Sequence, residues 1–233
     1  MAPTNANPAA EVSLQPPEPA ADSAPIPVLV LHGLWMRRPV LWPLARRLRT
    51  AGFLPQLFPY ATLWRSAEQA VPRLRQQLIA LGPGPVHLVG HSLGGVTALA
   101  ALQDADQLPP GRVVCLGSPI NGSAAARGIR RHRLGLLVGR SGPLLERGVQ
   151  VPAGRDVGMI AGTLALGGGR WVADLGLSHD GSVGVEETRQ AGLVDHLQLR
   201  VSHSGLIFSQ PVAEATINFL RNGRFAAADT AEP

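Results

Sequence analysis

The sequence of 233 residues contains no lysine; all 21 of its basic residues are arginine. Set against 16 acidic residues, they leave a formal charge of +5. The arginines are scattered, and aromatic residues make up only 4% of the chain. A nucleic-acid surface needs clustered cations and rings on which bases stack, so that class of partner is not expected. The arginine usage, beside abundant alanine, glycine and proline, reads as genome composition. The lone cysteine, Cys115, excludes an intrachain disulfide. It lies in the apolar run Val113-Val114-Cys115-Leu116, where a buried and inert thiol is expected. No apolar run reaches the roughly 18 residues of a membrane-spanning helix. The N-terminus lacks the basic region and apolar core of a secretory signal, so a cytoplasmic location is the default expectation.

What the chain does have is 45% hydrophobic residues, enough for the core of one α/β domain. Residues 1–24 are rich in Ala, Pro and Asn and carry few large apolar side chains, which predicts a disordered N-terminal tail. Residues 25–222 form the folded domain, and 223–233 a flexible C-terminal tail. Within the domain, short apolar runs predict strands at Pro27–Leu31, Phe53–Tyr60, Pro85–Gly90, Gly111–Gly117, Val157–Thr163 and His196–Val201. Phe53–Tyr60 contains two prolines and therefore belongs near a sheet edge. Helical spacing falls at Pro39–Thr50, Ser66–Leu81, Leu93–Asp104 and Pro211–Leu220. Such alternation predicts an α/β fold with a mostly parallel central sheet and helices on both faces. Residues 120–155 break the alternation, holding an arginine cluster and then Leu134, Leu136, Leu137 and Val138. They read as a helical excursion or small lid, and basic residues beside leucines there offer a candidate membrane-surface contact.

The chain is organised around Val86-His87-Leu88-Val89-Gly90-His91-Ser92-Leu93-Gly94-Gly95. A strand-like run enters a Gly-x-Ser-x-Gly turn and a helical run leaves it, the form of a nucleophile elbow. Gly90 and Gly94 are the elbow glycines, because a Cβ at either position would meet neighbouring backbone. A serine nucleophile needs a base to accept its proton and a carboxylate to hold that base in the right tautomer. Strand ends converge on the elbow, so the partners should follow late strands. His203, after the last strand and before the last helix, is the candidate base. His87 lies inside the elbow strand, His91 is the elbow's x residue, His132 is in the excursion, and His196 begins a strand at the far end of the sheet. Asp180, in the loop after the penultimate strand and beside Gly181, is the candidate acid. Asp174 in the same loop is the alternative; Asp195 sits at the far edge, and Glu186 and Glu187 begin a short helix. Backbone N–H groups of Leu34 and Leu93 are the candidate oxyanion donors. His32 and Gly33 anchor the loop that carries Leu34, and Trp35 is a candidate wall of an acyl pocket.

At Val30-Leu31-His32-Gly33, Gly90-His91-Ser92-Leu93-Gly94-Gly95, Asp180-Gly181-Ser182-Val183 and His203-Ser204-Gly205-Leu206-Ile207-Phe208-Ser209 the sequence resembles the α/β-hydrolase family, in particular its small bacterial lipases and esterases. The resemblance implies the α/β-hydrolase fold, with Ser92 as nucleophile, Asp180 as acid and His203 as base. It further implies cleavage of a small-molecule or lipid ester through an acyl-enzyme, without cofactor or metal. The same fold hosts thioesterases, amidases and non-catalytic binding proteins, which are the alternative readings.

Overall fold

The computed structural model describes residues 24–62, 66–131, 139–168 and 174–225. Most of both expected tails and the leucines at 134–138 of the excursion lie outside the described residues, as do Arg133 and His132. Strand β1 (Pro27–Leu31) shows why the apolar runs are continuous. Leu29 and Leu31 pack into a core on one side of the sheet, while Val28 and Val30 pack into a second core on the other. Both faces are covered, so no position alternates to polar. Strands β2 (Leu54–Leu57), β3 (His87–His91), β4 (Val113–Leu116), β5 (Val157–Gly162) and β6 (Asp195–Leu199) complete the sheet. All six strands are parallel, in the order β2-β1-β3-β4-β5-β6. Pro55 lies in β2, an edge strand, where a missing N–H is tolerated.

The helices cover both faces. Helix α1 (Trp42–Thr50) follows a 3₁₀ turn at Arg38–Leu41 and contributes Leu44 and Leu48 to the core that holds Val28. Helix α2 (Ala67–Ala80) starts at the Ser66 cap, whose Oγ accepts from the Gln69 N–H at 3.3 Å. Its Leu74 and Leu78 join Ala98 and Leu99 of α3 (Leu93–Ala101) in the opposite core. Two short helices, α4 (Ala124–Arg131) and α5 (Gly142–Arg147), fall in the stretch that broke the alternation. Helix α6 (Gly205–Phe208) precedes α7 (Gln210–Asn222), whose Val212 and Phe219 close the α1 side. Each leucine or phenylalanine buried in this way stabilises the fold by about 1.5–3 kcal/mol before entropy is subtracted. Cys115 is fully buried in β4, and burial pushes its thiol up to about 12. Among the described residues no helix is long and apolar enough to cross a membrane.

This topology positions a site. The chain leaves β1 into α1 on one face and leaves β3 into α3 on the other. Connections that diverge from neighbouring strands open a crevice at their carboxyl ends, the usual place for a ligand in such sheets. The opposite, amino edge is closed by arginine. Arg75 donates to the carbonyls of Ala101 and Gln103 at 2.8 and 2.6 Å, and Arg112 to those of Leu220 and Arg221, both at 2.9 Å. Arg155 reaches Pro109 O and Arg221 reaches Ala51 O, each at 2.6 Å.

Candidate active site

β3 delivers Ser92 to the crevice. Its backbone has φ 53° and ψ −121°, in the region that a residue with a Cβ rarely occupies. The turn is tight enough that a Cβ on Gly90 would lie 2.4 Å from the Gly95 nitrogen, and one on Gly94 would lie 2.5 Å from the Leu31 carbonyl oxygen. Those two glycines let α3 start directly above the strand and press against β1. The strain is therefore held by core packing, and it lifts the serine out of the helical path.

A cavity of about 450 Å³ lies over this turn. Ser92, His91 and His203 line it, together with Leu34, Trp35 and Met36 from the loop after β1. Ala126 and Ile129 of α4 and Leu145 of α5 form an apolar wall, so the described ends of the excursion cover the crevice. Trp35 is a further non-glycine residue with positive φ, 59°, and stands 56% exposed at the cavity. Neither the Leu34 nor the Leu93 N–H is taken by a partner among the described residues. Leu93 opens α3, where helical N–H groups are free and favour negative charge.

His203 and Asp180 are brought together although 23 positions separate them. The His203 Nδ1–H donates to Asp180 Oδ2 at 2.7 Å, and the His203 backbone N–H donates to the Asp180 carbonyl at 2.9 Å. Asp180 is only 1% exposed; its second oxygen accepts from the N–H groups of Ser182 and Val183 at 2.9 and 2.8 Å. A buried carboxylate that accepts from that many donors is held in one orientation. Asp174 instead caps its own loop, accepting from the Gly176 N–H, and Asp195 accepts from the N–H groups of His196 and Phe225. His196 meets Thr188 Oγ1 at 2.9 Å, on β6 away from the cavity. Among the described residues Ser92 Oγ and His203 Nε2 have no hydrogen-bond partner, which leaves both available to a ligand and to each other.

His32 bonds through Nδ1 to the Gly33 carbonyl at 2.9 Å. Its own carbonyl accepts from the hydroxyl of Tyr60, whose ring stacks on the imidazole at 4.6 Å. Tyr60 is the only tyrosine in the chain, and nothing local in the sequence tied it to the site. Gly117 also belongs to the site. It follows β4 directly, with φ 56°, and a Cβ there would lie 3.1 Å from Asp180 Oδ2 and 3.3 Å from His203 Nδ1. A glycine immediately after a buried strand was its signal. Glu187, read from sequence as part of a short helix, lies in a 3₁₀ turn at Val185–Thr188 and clamps two segments. Its carboxylate accepts from the Gly184 N–H at 2.8 Å in the acid's loop and from the Ala124 N–H at the start of α4. Burial pushes its carboxyl up, against the opposing effect of those bonds.

Burial also holds several histidines neutral. His91 is held down to about 3 by desolvation first and then by the charge of His203, and His87 to about 4 by desolvation and then Arg112. The His87 case has a visible reason: Nδ1 accepts from the Arg112 backbone N–H at 2.9 Å, so a proton there would break the bond. Histidines that refuse a proton when folded accept one near 6.5 when unfolded. Their contribution to stability is therefore complete above pH 6.5 and lost below it. Denaturant midpoints are expected to fall between pH 7 and 5, by up to about 1.4 kcal/mol per histidine for each pH unit below the unfolded value. A flat profile over that range would show that these rings take up protons in the folded chain.

The fold is shared with solved hydrolases at low identity. A Bacillus licheniformis lipase in its propeptide form is 20% identical with a TM-score of 0.65, over 84% of this chain and 51% of that one. The chain thus spans about half the length of that lipase. A metagenomic carboxyl esterase is 17% identical with a TM-score of 0.62, over 82% of this chain and 68% of the esterase. A monoacylglycerol lipase from Paleococcus ferrophilus is 18% identical with a TM-score of 0.55, over 85% and 96%. No curated protein matches the chain in sequence. The model of the alpha/beta hydrolase family matches residues 28–215, and together with the parallel sheet and the turn at Ser92 this places the chain in that family.

Proposed function

We propose that the protein is a serine hydrolase of carboxylic esters, acting through Ser92, His203 and Asp180 and an acyl-enzyme. The observation that carries this reading is the 2.7 Å bond between His203 Nδ1 and a buried Asp180, in the same cavity as a serine on a strained turn. With Nδ1–H committed to the carboxylate, Nε2 keeps its lone pair and can take the Ser92 hydroxyl proton. Ser92 Oγ then bonds to the acyl carbon, and the carbonyl π electrons move onto its oxygen. The Leu34 and Leu93 N–H groups are the donors for that oxyanion. As the tetrahedral adduct collapses, the imidazolium returns its proton to the leaving alcohol. A water that gives a proton to His203 then attacks the acyl carbon, and Ser92 leaves with that proton. The apolar wall of Ala126, Ile129 and Leu145 suits an apolar acyl group, with Trp35 at the mouth.

The test is intact-mass analysis after incubation with a fluorophosphonate. One adduct is expected on the parent chain, none on Ser92→Ala, and at least a hundredfold slower labelling of His203→Ala, the scale of general-base catalysis. A folded parent that takes no adduct sinks the reading in favour of a binding protein. Rates on matched oxygen ester, thioester and anilide substrates then separate an esterase from the thioesterase and amidase alternatives.

A further inference from the structure

We infer that His91, the residue that precedes Ser92, is a positioning residue that sets the distance between the nucleophile and the base. This rests on the function proposed above. Its Nε2 lies 2.9 Å from the carbonyl oxygen of His203. A carbonyl can only accept, so Nε2 carries the proton and Nδ1 the lone pair. That lone pair has no partner among the described residues, and Nδ1 is packed against Gly33, where a Cβ would lie 2.9 Å away. The two imidazole rings lie 4.7 Å apart.

His203 is held at its backbone N–H and its Nδ1 by Asp180, and at its carbonyl by His91. The contacts with Asp180 refer the base only to the loop after β5. The contact with His91 refers it to the elbow itself, through a residue bonded directly to Ser92. One side chain thereby joins the strand that carries the serine, the loop that carries Gly33 and Leu34, and the loop that carries the base. A proton transfer that must span one hydrogen bond is sensitive to misplacement on the scale of an ångström, which costs on the order of a hundredfold in rate.

The test compares His91→Gln, His91→Asn and His91→Phe in the full chain. A glutamine amide nitrogen stands as many bonds from the backbone as His91 Nε2 and can reach the His203 carbonyl; an asparagine nitrogen falls short, and phenylalanine keeps the shape without a donor. His91→Phe and His91→Asn are expected to lower kcat roughly 10- to 100-fold with KM within about twofold. His91→Gln should recover most of the loss, and fluorophosphonate labelling rates should fall in the same order. Equal kcat in parent and His91→Phe, or equal loss in all three variants, would overturn the inference while leaving parent labelling, and so the proposed function, intact. A parent that takes no label fails at the earlier step. Should the variants not fold, nitrogen-15 spectra of the parent histidines decide: a neutral ring protonated at Nε2 with a slowly exchanging proton is expected, and its absence refutes the assignment.

Discussion

Ser92→Ala is expected to lower kcat for a simple carboxylic ester by about a millionfold, to the residual rate left by binding and the oxyanion donors. Its stability should barely change. The strain at this position lies in the backbone, at φ 53°, and alanine carries the same Cβ through the same turn. The variant loses one hydroxyl that has no hydrogen-bond partner among the described residues, so no buried group is orphaned by the change. The combination is the informative part. Hydrolysis rates and denaturant midpoints measured on one preparation should separate, with chemistry gone and the midpoint held within about 0.5 kcal/mol of the parent. Retained hydrolysis would move the nucleophile elsewhere; a collapsed midpoint would mean that the hydroxyl serves the fold.

Asp180→Asn is expected to lower kcat about ten-thousandfold with little change in KM. The geometry says how. Asp180 Oδ1 accepts from the N–H groups of Ser182 and Val183, so an asparagine must keep its oxygen there. Its NH₂ group is then turned toward His203 Nδ1, 2.7 Å away in the parent, where two donors would face each other. The imidazole resolves the clash by moving its proton to Nε2, which leaves no lone pair to accept from Ser92. The variant is isosteric and keeps the loop's turn, so the loss is one of tautomer rather than of shape. Substrate binding makes little use of the buried acid, which is why KM should hold. Measured kcat within tenfold of the parent would require a different orienting group, and the nearby carboxylate of Glu187 is already committed to Gly184 and Ala124.

How far the sequence could carry this reading depended on how local each feature was. The elbow was legible because strand, turn and helix are contiguous from His87 to Ala101, and its glycines answer to contacts within the same motif and β1. Strand β1 was legible because burial on both faces removes polar residues from it altogether. Asp180 and His203 could be nominated from chain order and strand ends, but their bond could only be seen in three dimensions. Strand limits were less secure. The second strand ends at Leu57 rather than Tyr60, because the residues after it turn toward His32, and the last runs Asp195–Leu199 rather than to Val201. The elbow helix stops at Ala101, short of Asp104, whose own φ is 46°. Tyr60 and Glu187 left almost no trace in the sequence, and Gly117 only that of a glycine after a buried strand. Each acts on a residue distant along the chain, and no local pattern distinguishes such a residue from its neighbours.

The arginine contacts at the amino edge of the sheet divide the molecule mechanically. Arg75, Arg112, Arg155 and Arg221 each tie a helix or a strand entrance to the carbonyls that end another segment. A guanidinium fork can hold two carbonyls at once through different nitrogens, as Arg75 does with Ala101 and Gln103, where an ammonium would act as a point charge. The opposite rim has loops, short helices and the cavity wall. Hydrogen exchange is therefore expected to be slowest in the strands anchored at the stapled rim and faster in the loops around Ser92.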